Sequence, residues 1–141
     1  MNKSVVKIEN MIGIIKDIYP SLQGIYLFGS FQTVREWPDS DVDIAILFPH
    51  EIAKKETNLV FSDCRIKLED SLGKEVDLIN VRLVSTVFQF QIITTGRLIL
   101  CSDKRAVAEF EMLTLSYYQK LNEERSGILQ EFYKTGKAYN V

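Results

Sequence analysis

The sequence predicts an α/β (α+β) fold: a small mixed β-sheet of about four strands, flanked by helices and followed by a long C-terminal helix. Three observations lead there. Four short apolar runs bounded by Gly, Pro or Asp read as strands. Stretches with apolar residues every three or four positions read as helices between them. No repeat, low-complexity tract or Pro/Gly-rich linker divides the 141 residues, so residues 1–141 read as one domain.

Residues 4–19 open the chain as an amphipathic helix, with Val5, Ile8, Ile12, Ile15 and Tyr19 on one stripe, Ser4 as a candidate cap and Pro20 as the stop. Gly24 to Phe28 (GIYLF) is a short apolar strand. Gly29 and Ser30 follow it, then a polar segment to Ser40. Asp41 to Phe48 (DVDIAILF) is the clearest strand. Alternation puts Asp41, Asp43, Ala45 and Leu47 on one face and Val42, Ile44, Ile46 and Phe48 on the other. Both faces turn apolar after Asp43, as in a central strand covered on two sides.

Pro49 ends that strand, and His50, the sole histidine, reads as a surface loop residue. Residues 56–72 read as a helix with Val60, Cys64, Leu68 and Leu72 on its stripe and Gly73 just past its end. Glu75 to Val81 is a strand, 85–95 a short helix ending at Gly96, and Arg97 to Cys101 the fourth strand. Asp103 is a candidate N-cap for the last helix. Its predicted stripe is Ala106, Phe110, Leu113, Tyr117, Leu121, Ile128 and Phe132, and Gly127 weakens its second half.

Composition excludes several classes. Net charge is −2 with a sequence pI near 5.5, against the basic face that nonspecific nucleic-acid binding requires. No apolar run approaches the ~20 residues needed to span a bilayer, so no membrane partner is expected. No secretory pattern opens the chain, which points to the cytoplasm. Cys64 and Cys101 lie in apolar segments and read as reduced, buried thiols. A single histidine leaves little for a His-based zinc site or a Ser-His-Asp triad. A metal here is expected to take oxygen ligands, which favours Mg2+ or Mn2+.

The chemistry concentrates in residues 29–48 (GSFQTVREWPDSDVDIAILF). A Gly at a strand end lets a ligand approach where a Cβ would block it. Ser30 adds a hydroxyl and an N–H suited to phosphate oxygens. Asp41 and Asp43 share one strand face. Two such carboxylates repel unless a divalent cation lies between them, and Mg2+ sites commonly join one or two carboxylates to substrate phosphates. With 8 Asp in the chain, Asp-x-Asp alone means little, and Asp39-x-Asp41 is a second match. Gly-Ser at a fixed earlier spacing lowers the odds of chance to roughly one in several hundred. The structural alternative is a turn-capping pair encouraged by Pro38-Asp39-Ser40. Asp77, amid apolar neighbours in a later strand, either completes a carboxylate triad or faces water from an edge strand.

Gly-Ser, a ten-residue gap, Asp-x-Asp and a later strand Asp together resemble the nucleotidyltransferase superfamily typified by DNA polymerase beta. The short chain and its element order look like the minimal nucleotidyltransferase (MNT) branch, and particularly like MntA-type antitoxins of HEPN/MNT toxin–antitoxin pairs. The resemblance covers residues 4–101 at motif level. It implies a polymerase beta-like fold, phosphate binding by Gly29 and Ser30, and metal binding by Asp41, Asp43 and Asp77. It implies ATP as substrate with two Mg2+ ions, Mn2+ being the natural substitute. The implied reaction is transfer of AMP to a tyrosine of a cognate HEPN ribonuclease toxin, in a hetero-oligomer with that toxin. Many MNT proteins carry Arg-Gly within the gap. Here Thr33 and Val34 stand there, with Arg35 one position on as the candidate phosphate contact.

Two other readings stay open at this level: an antitoxin that acts by binding alone, and a nucleotidyltransferase acting on a small-molecule hydroxyl. The shortness of the chain favours a protein acceptor, since little is left to build an acceptor pocket. Tyr117, Tyr118, Phe132, Tyr133 and Tyr139 read either as a docking surface or as part of the core, and periodicity alone does not decide between the two.

Overall fold

The first two turns of apolar spacing already commit the chain to a helix that must cover something. In the computed structural model, which describes residues 3–29, 41–59 and 62–135, that helix is α1 (Lys3–Ile18). It begins one residue before Ser4, so Ser4 lies inside it. The elements that follow are β1 (Gly24–Phe28), β2 (Val42–Leu47), α2 (His50–Ala53), α3 (Asp63–Leu72), β3 (Val76–Asn80), α4 (Thr86–Thr95), β4 (Arg97–Cys101) and α5 (Lys104–Thr135).

The four strands form one mixed sheet in the order β3-β2-β1-β4. β1 runs antiparallel to both β2 and β4, and β2 runs parallel to β3. The alternation read from residues 41–48 holds. Val42, Ile44, Ile46 and Phe48 pack with Ile25 and Leu27 under Met11 and Ile15 of α1 and Cys64, Leu68 and Leu72 of α3. Ala45 and Leu47 pack on the opposite face with Tyr26, Ile92 of α4, and Val107 and Phe110 of α5. β2 is therefore central and covered on both sides, as its double apolar character requires.

Three predictions need correcting. The helix expected over 56–72 is shorter. α3 starts at Asp63, because the Ser62 hydroxyl accepts the Arg65 N–H and caps it there. The preceding segment is a turn of helix at His50–Ala53, which includes the histidine assigned to a loop, followed by a loop. Asn80 holds that loop by donating from Nδ2 to the Ala53 and Glu56 carbonyls at 3.0 and 3.1 Å. Val60 lies outside the described residues. The C-terminal end of α3 is as expected: Gly73 (φ +66°) takes the left-handed conformation, and its N–H bonds the Glu69 carbonyl.

The second correction concerns α5. Asp103 caps it, accepting the Ala106 N–H at 3.0 Å. The buried stripe, however, is Val107, Phe110 and Thr114, while Leu113, Tyr117 and Ile128 face outward. Two further contacts fix that rotation. The Tyr26 hydroxyl donates to Glu111 Oε2 at 2.6 Å, and Tyr118 stacks on Phe90 of α4 at 3.7 Å. Of the aromatics read as either docking surface or core, Tyr117 is exposed and Tyr118 is engaged with Phe90. Tyr139 and the side chains of Phe132 and Tyr133 lie outside what is described. The third correction is to the cysteines: both are free, but only Cys64 is buried, with its thiol pushed up to about 11 by desolvation, and Cys101 is half-buried. No helix among the described residues is long and apolar enough to cross a membrane.

Candidate active site

The start of β2, the end of β1 and the start of β3 meet at one end of the sheet. Pairing of β1 with β2 sets Phe28 opposite Asp43, and the parallel pairing of β2 with β3 sets Asp77 beside Asp43. Neighbouring strands lie about 4.8 Å apart and in-register side chains share a face. The register therefore puts the Asp43 and Asp77 carboxylates side by side on the face that carries Ala45. Asp41, just before β2, adds a third negative charge.

Asp43 records the strain of this grouping. Half-buried, its carboxyl is pushed up from its ordinary 3.8 to about 6, first by burial and then by the charges of Asp77 and Asp41. Asp41 and Asp77 are exposed. Asp77 is thus an edge-strand residue facing water and also the neighbour of Asp43. The two alternatives drawn from sequence describe one geometry.

Gly29 closes the site on the β1 side. Its φ is +78°, and a Cβ built there would collide with the Asp43 carboxylate. From sequence, this glycine is expected to admit the close approach of a ligand. The structure gives it a nearer neighbour, since Asp43 itself fills the space a side chain would take. Ser30 and Arg35 lie outside the described residues.

A small cleft of about 190 Å3 adjoins the carboxylates, lined by Asp41, Arg65, Glu75, Val76 and Asp77. Among the described residues no three metal-ligating side chains converge into a ready-made cage. The donor set still fits Mg2+. It consists of oxygens alone, and Asp43 is held at a protonation cost that a cation would relieve. Mg2+ also routinely completes its shell with water and phosphate oxygens. Asp43 and Asp77, with Asp41, are the residues that would hold it.

From sequence, Arg65, Lys67 and Lys74 are candidates to line a face near the site without being placed there; the structure puts Arg65 in the cleft and adds Glu69 beside it. The i, i+4 spacing of Arg65 and Glu69 on α3 was the visible signal. Arg82, by contrast, was unforeseen. It sits at the opposite end of the sheet, in a larger cavity of about 500 Å3 that includes Gln23, His50, Phe110 and Tyr117.

The polymerase beta nucleotidyltransferase family matches residues 9–105. The chain belongs to this family. It is 35% identical over 123 residues, 87% of this chain and 85% of the relative, to the protein adenylyltransferase MntA of Shewanella oneidensis. A crystal structure of a toxin–antitoxin with AMP-PNP superposes with a TM-score of 0.68 at 32% identity, covering 89% of this chain and 98% of that one. A crystal structure of the MntA-HepT toxin–antitoxin superposes at 0.64 and 31% identity, covering 91% and 97%. A structure of tri-AMPylated Shewanella oneidensis HEPN toxin in complex with MNT antitoxin superposes at 0.66 and 29% identity, covering 92% and 98%. The fold expected from the resemblance is the one observed, and this chain is a nucleotidyltransferase by family.

Proposed function

We propose that this chain is a cytoplasmic antitoxin of the HEPN/MNT type, one catalytic domain over residues 1–141. It neutralises a HEPN ribonuclease toxin by Mg2+-dependent transfer of AMP from ATP to a toxin tyrosine. The observation that carries the reading is the in-register pair Asp43–Asp77 closed by Gly29 at +78°. The similarity to a protein adenylyltransferase and to complexes with an AMPylated HEPN toxin supports the choice of acceptor.

In this mechanism Gly29 and Ser30 orient the β- and γ-phosphates, and Arg35 is the cation nearest in sequence to assist them. Mg2+, when bound, screens the triphosphate and lowers the pKa of the acceptor hydroxyl. Asp41 and Asp43, with Asp77, are the residues that would hold the metal, which would supply charge neutralisation for the substrate's phosphates. The tyrosine oxygen attacks the α-phosphorus in line, the bond to the bridging oxygen of pyrophosphate breaks, and exposed Asp77 takes the phenolic proton. The products are AMP-tyrosine and pyrophosphate. The chain supplies position and charge rather than a covalent intermediate.

The test is intact-mass analysis of the cognate toxin after incubation with this protein, ATP and Mg2+. The expected outcome is one or more AMP additions, lost with Asp43→Asn at unchanged fold. Neutralisation of the toxin with no change in mass would establish the binding-only antitoxin instead. Turnover of ATP only with a small hydroxylated acceptor would establish the third reading.

A further inference from the structure

β3 is an edge strand, and its pairing with β2 leaves Val76 with nothing to bond on that side. Val42 donates its N–H to the Glu75 carbonyl at 2.8 Å and stands in register with Val76. In a parallel ladder the residue in register uses neither of its own main-chain groups toward that partner, so the Val76 N–H and C=O point out to the open edge. There two side chains of α3 take both. Glu69 Oε2 accepts the Val76 N–H at 3.0 Å, and Arg65 Nε donates to the Val76 carbonyl at 3.0 Å. The two are joined to each other, Arg65 Nη2 to Glu69 Oε2 at 3.4 Å. One helical turn thus supplies a donor and an acceptor in the positions where a fifth strand would have supplied them.

The residue held is the one before Asp77. Arg65 also lines the cleft that contains Asp41 and Asp77. We propose that Arg65 and Glu69 are positioning residues for the nucleotidyl transfer: their clamp on Val76 keeps the Asp77 carboxylate beside Asp43, against the repulsion between the two. This rests on the reaction assigned above. Outer-shell partners of metal-binding carboxylates commonly matter by about 10–100-fold in metal affinity or activity, which sets the expected scale.

The experiment compares Glu69→Ala and Glu69→Gln with wild type in the full chain. A glutamine amide oxygen still accepts the Val76 N–H, whereas alanine cannot. Three quantities are measured. They are amide hydrogen exchange at Val76, Mn2+ affinity in the presence of AMP-PNP without turnover, and kcat and KM for ATP in toxin modification. For Glu69→Ala, faster exchange at Val76, about tenfold weaker Mn2+ binding and a lower kcat at nearly unchanged KM are expected. Glu69→Gln should recover most of each. If Glu69→Ala does not fold, Arg65→Met, which keeps the aliphatic stem, is expected to move the same three readouts. Faster Val76 exchange with Mn2+ affinity and kcat unchanged would overturn the proposal, leaving the clamp as edge protection alone. If wild type transfers no AMP at all, the assigned reaction fails while exchange and Mn2+ affinity still decide the clamp.

Discussion

The two ends of the sheet solve opposite problems with charged side chains. At the β2 C-terminal end, Arg82 is half-buried and almost fully spoken for. Its Nε donates to the Phe48 carbonyl, its Nη2 to Gln23 Oε1 at 2.8 Å, and its Nη1 meets His50 Nε2 at 3.2 Å. The Phe110 ring lies 5.8 Å below the guanidinium, and Glu109 offsets the burial that lowers its pKa. At the other end, Asp43 is half-buried beside two further carboxylates and is forced upward toward protonation. The larger cavity accompanies the satisfied charge and the smaller cleft the frustrated one. Here unmet electrostatic demand, not volume, marks where chemistry is to be expected.

The contrast predicts that each end fails in its own way. The largest effect is expected from Gly29→Ala. An L-residue at φ +78° costs about 1–2 kcal/mol, and the new methyl displaces the Asp43 carboxylate. Transfer should fall by about 100-fold, since a misplacement near 1 Å can cost that much. Single-turnover kinetics beside a denaturant melt separates the two losses. Unchanged transfer would show that Asp43 moves aside at no catalytic cost.

Next comes Arg82→Met, which removes the hydrogen bonds to Phe48 and Gln23 together with the contact to His50 and strands the Phe48 carbonyl. About 2–3 kcal/mol of stability should go, with AMP-PNP affinity within about twofold of wild type. A urea titration and a nucleotide titration check the pair. Weakened nucleotide binding at full stability would reverse the roles assigned to the two ends.

The smallest effect is in pH. A carboxyl whose pKa rises from 3.8 to about 6 on folding binds more protons in the folded state. Its contribution to stability is therefore full below about pH 3.8 and lost as the pH rises through 6. In metal-free protein, Asp43→Asn should melt above wild type at pH 7, with the gap narrowing by pH 5. A gap independent of pH would mean that the carboxylates are compensated without metal.

What the sequence made legible follows from the range of the interactions involved. β2 could be read because alternation is local and both its faces are covered. Asp43 and Asp77 could be paired in outline because each interrupts an apolar strand. The start of α3 was misplaced because the loop before it is held by Asn80, more than 20 residues away. The rotation of α5 was misjudged because apolar residues occur on more than one side of it. The deciding contacts, Tyr26 to Glu111 and Phe90 to Tyr118, are tertiary. Arg82 gave no signal at all, since its partners come from the ends of other strands. Gly29 was read as a place where a Cβ would block a ligand; the neighbour the structure puts there, Asp43, could not be seen without the register of β1 on β2.

That register also has a consequence for chain length. Asp77 stands beside Asp43 only because the count of residues from Gly73 to Asp77 delivers it on the correct side of β3. Side chains alternate with a period of two, so loss of one residue there would turn Asp77 to the α1/α3 face and bring an apolar neighbour against Asp43. The turn that follows α2 is held instead through the main-chain carbonyls of Ala53 and Glu56 to Asn80, a contact that no side-chain alternation governs. The length of the connection into β3 is thus set by chemistry as much as by packing, because a carboxylate must arrive on a particular side of a strand.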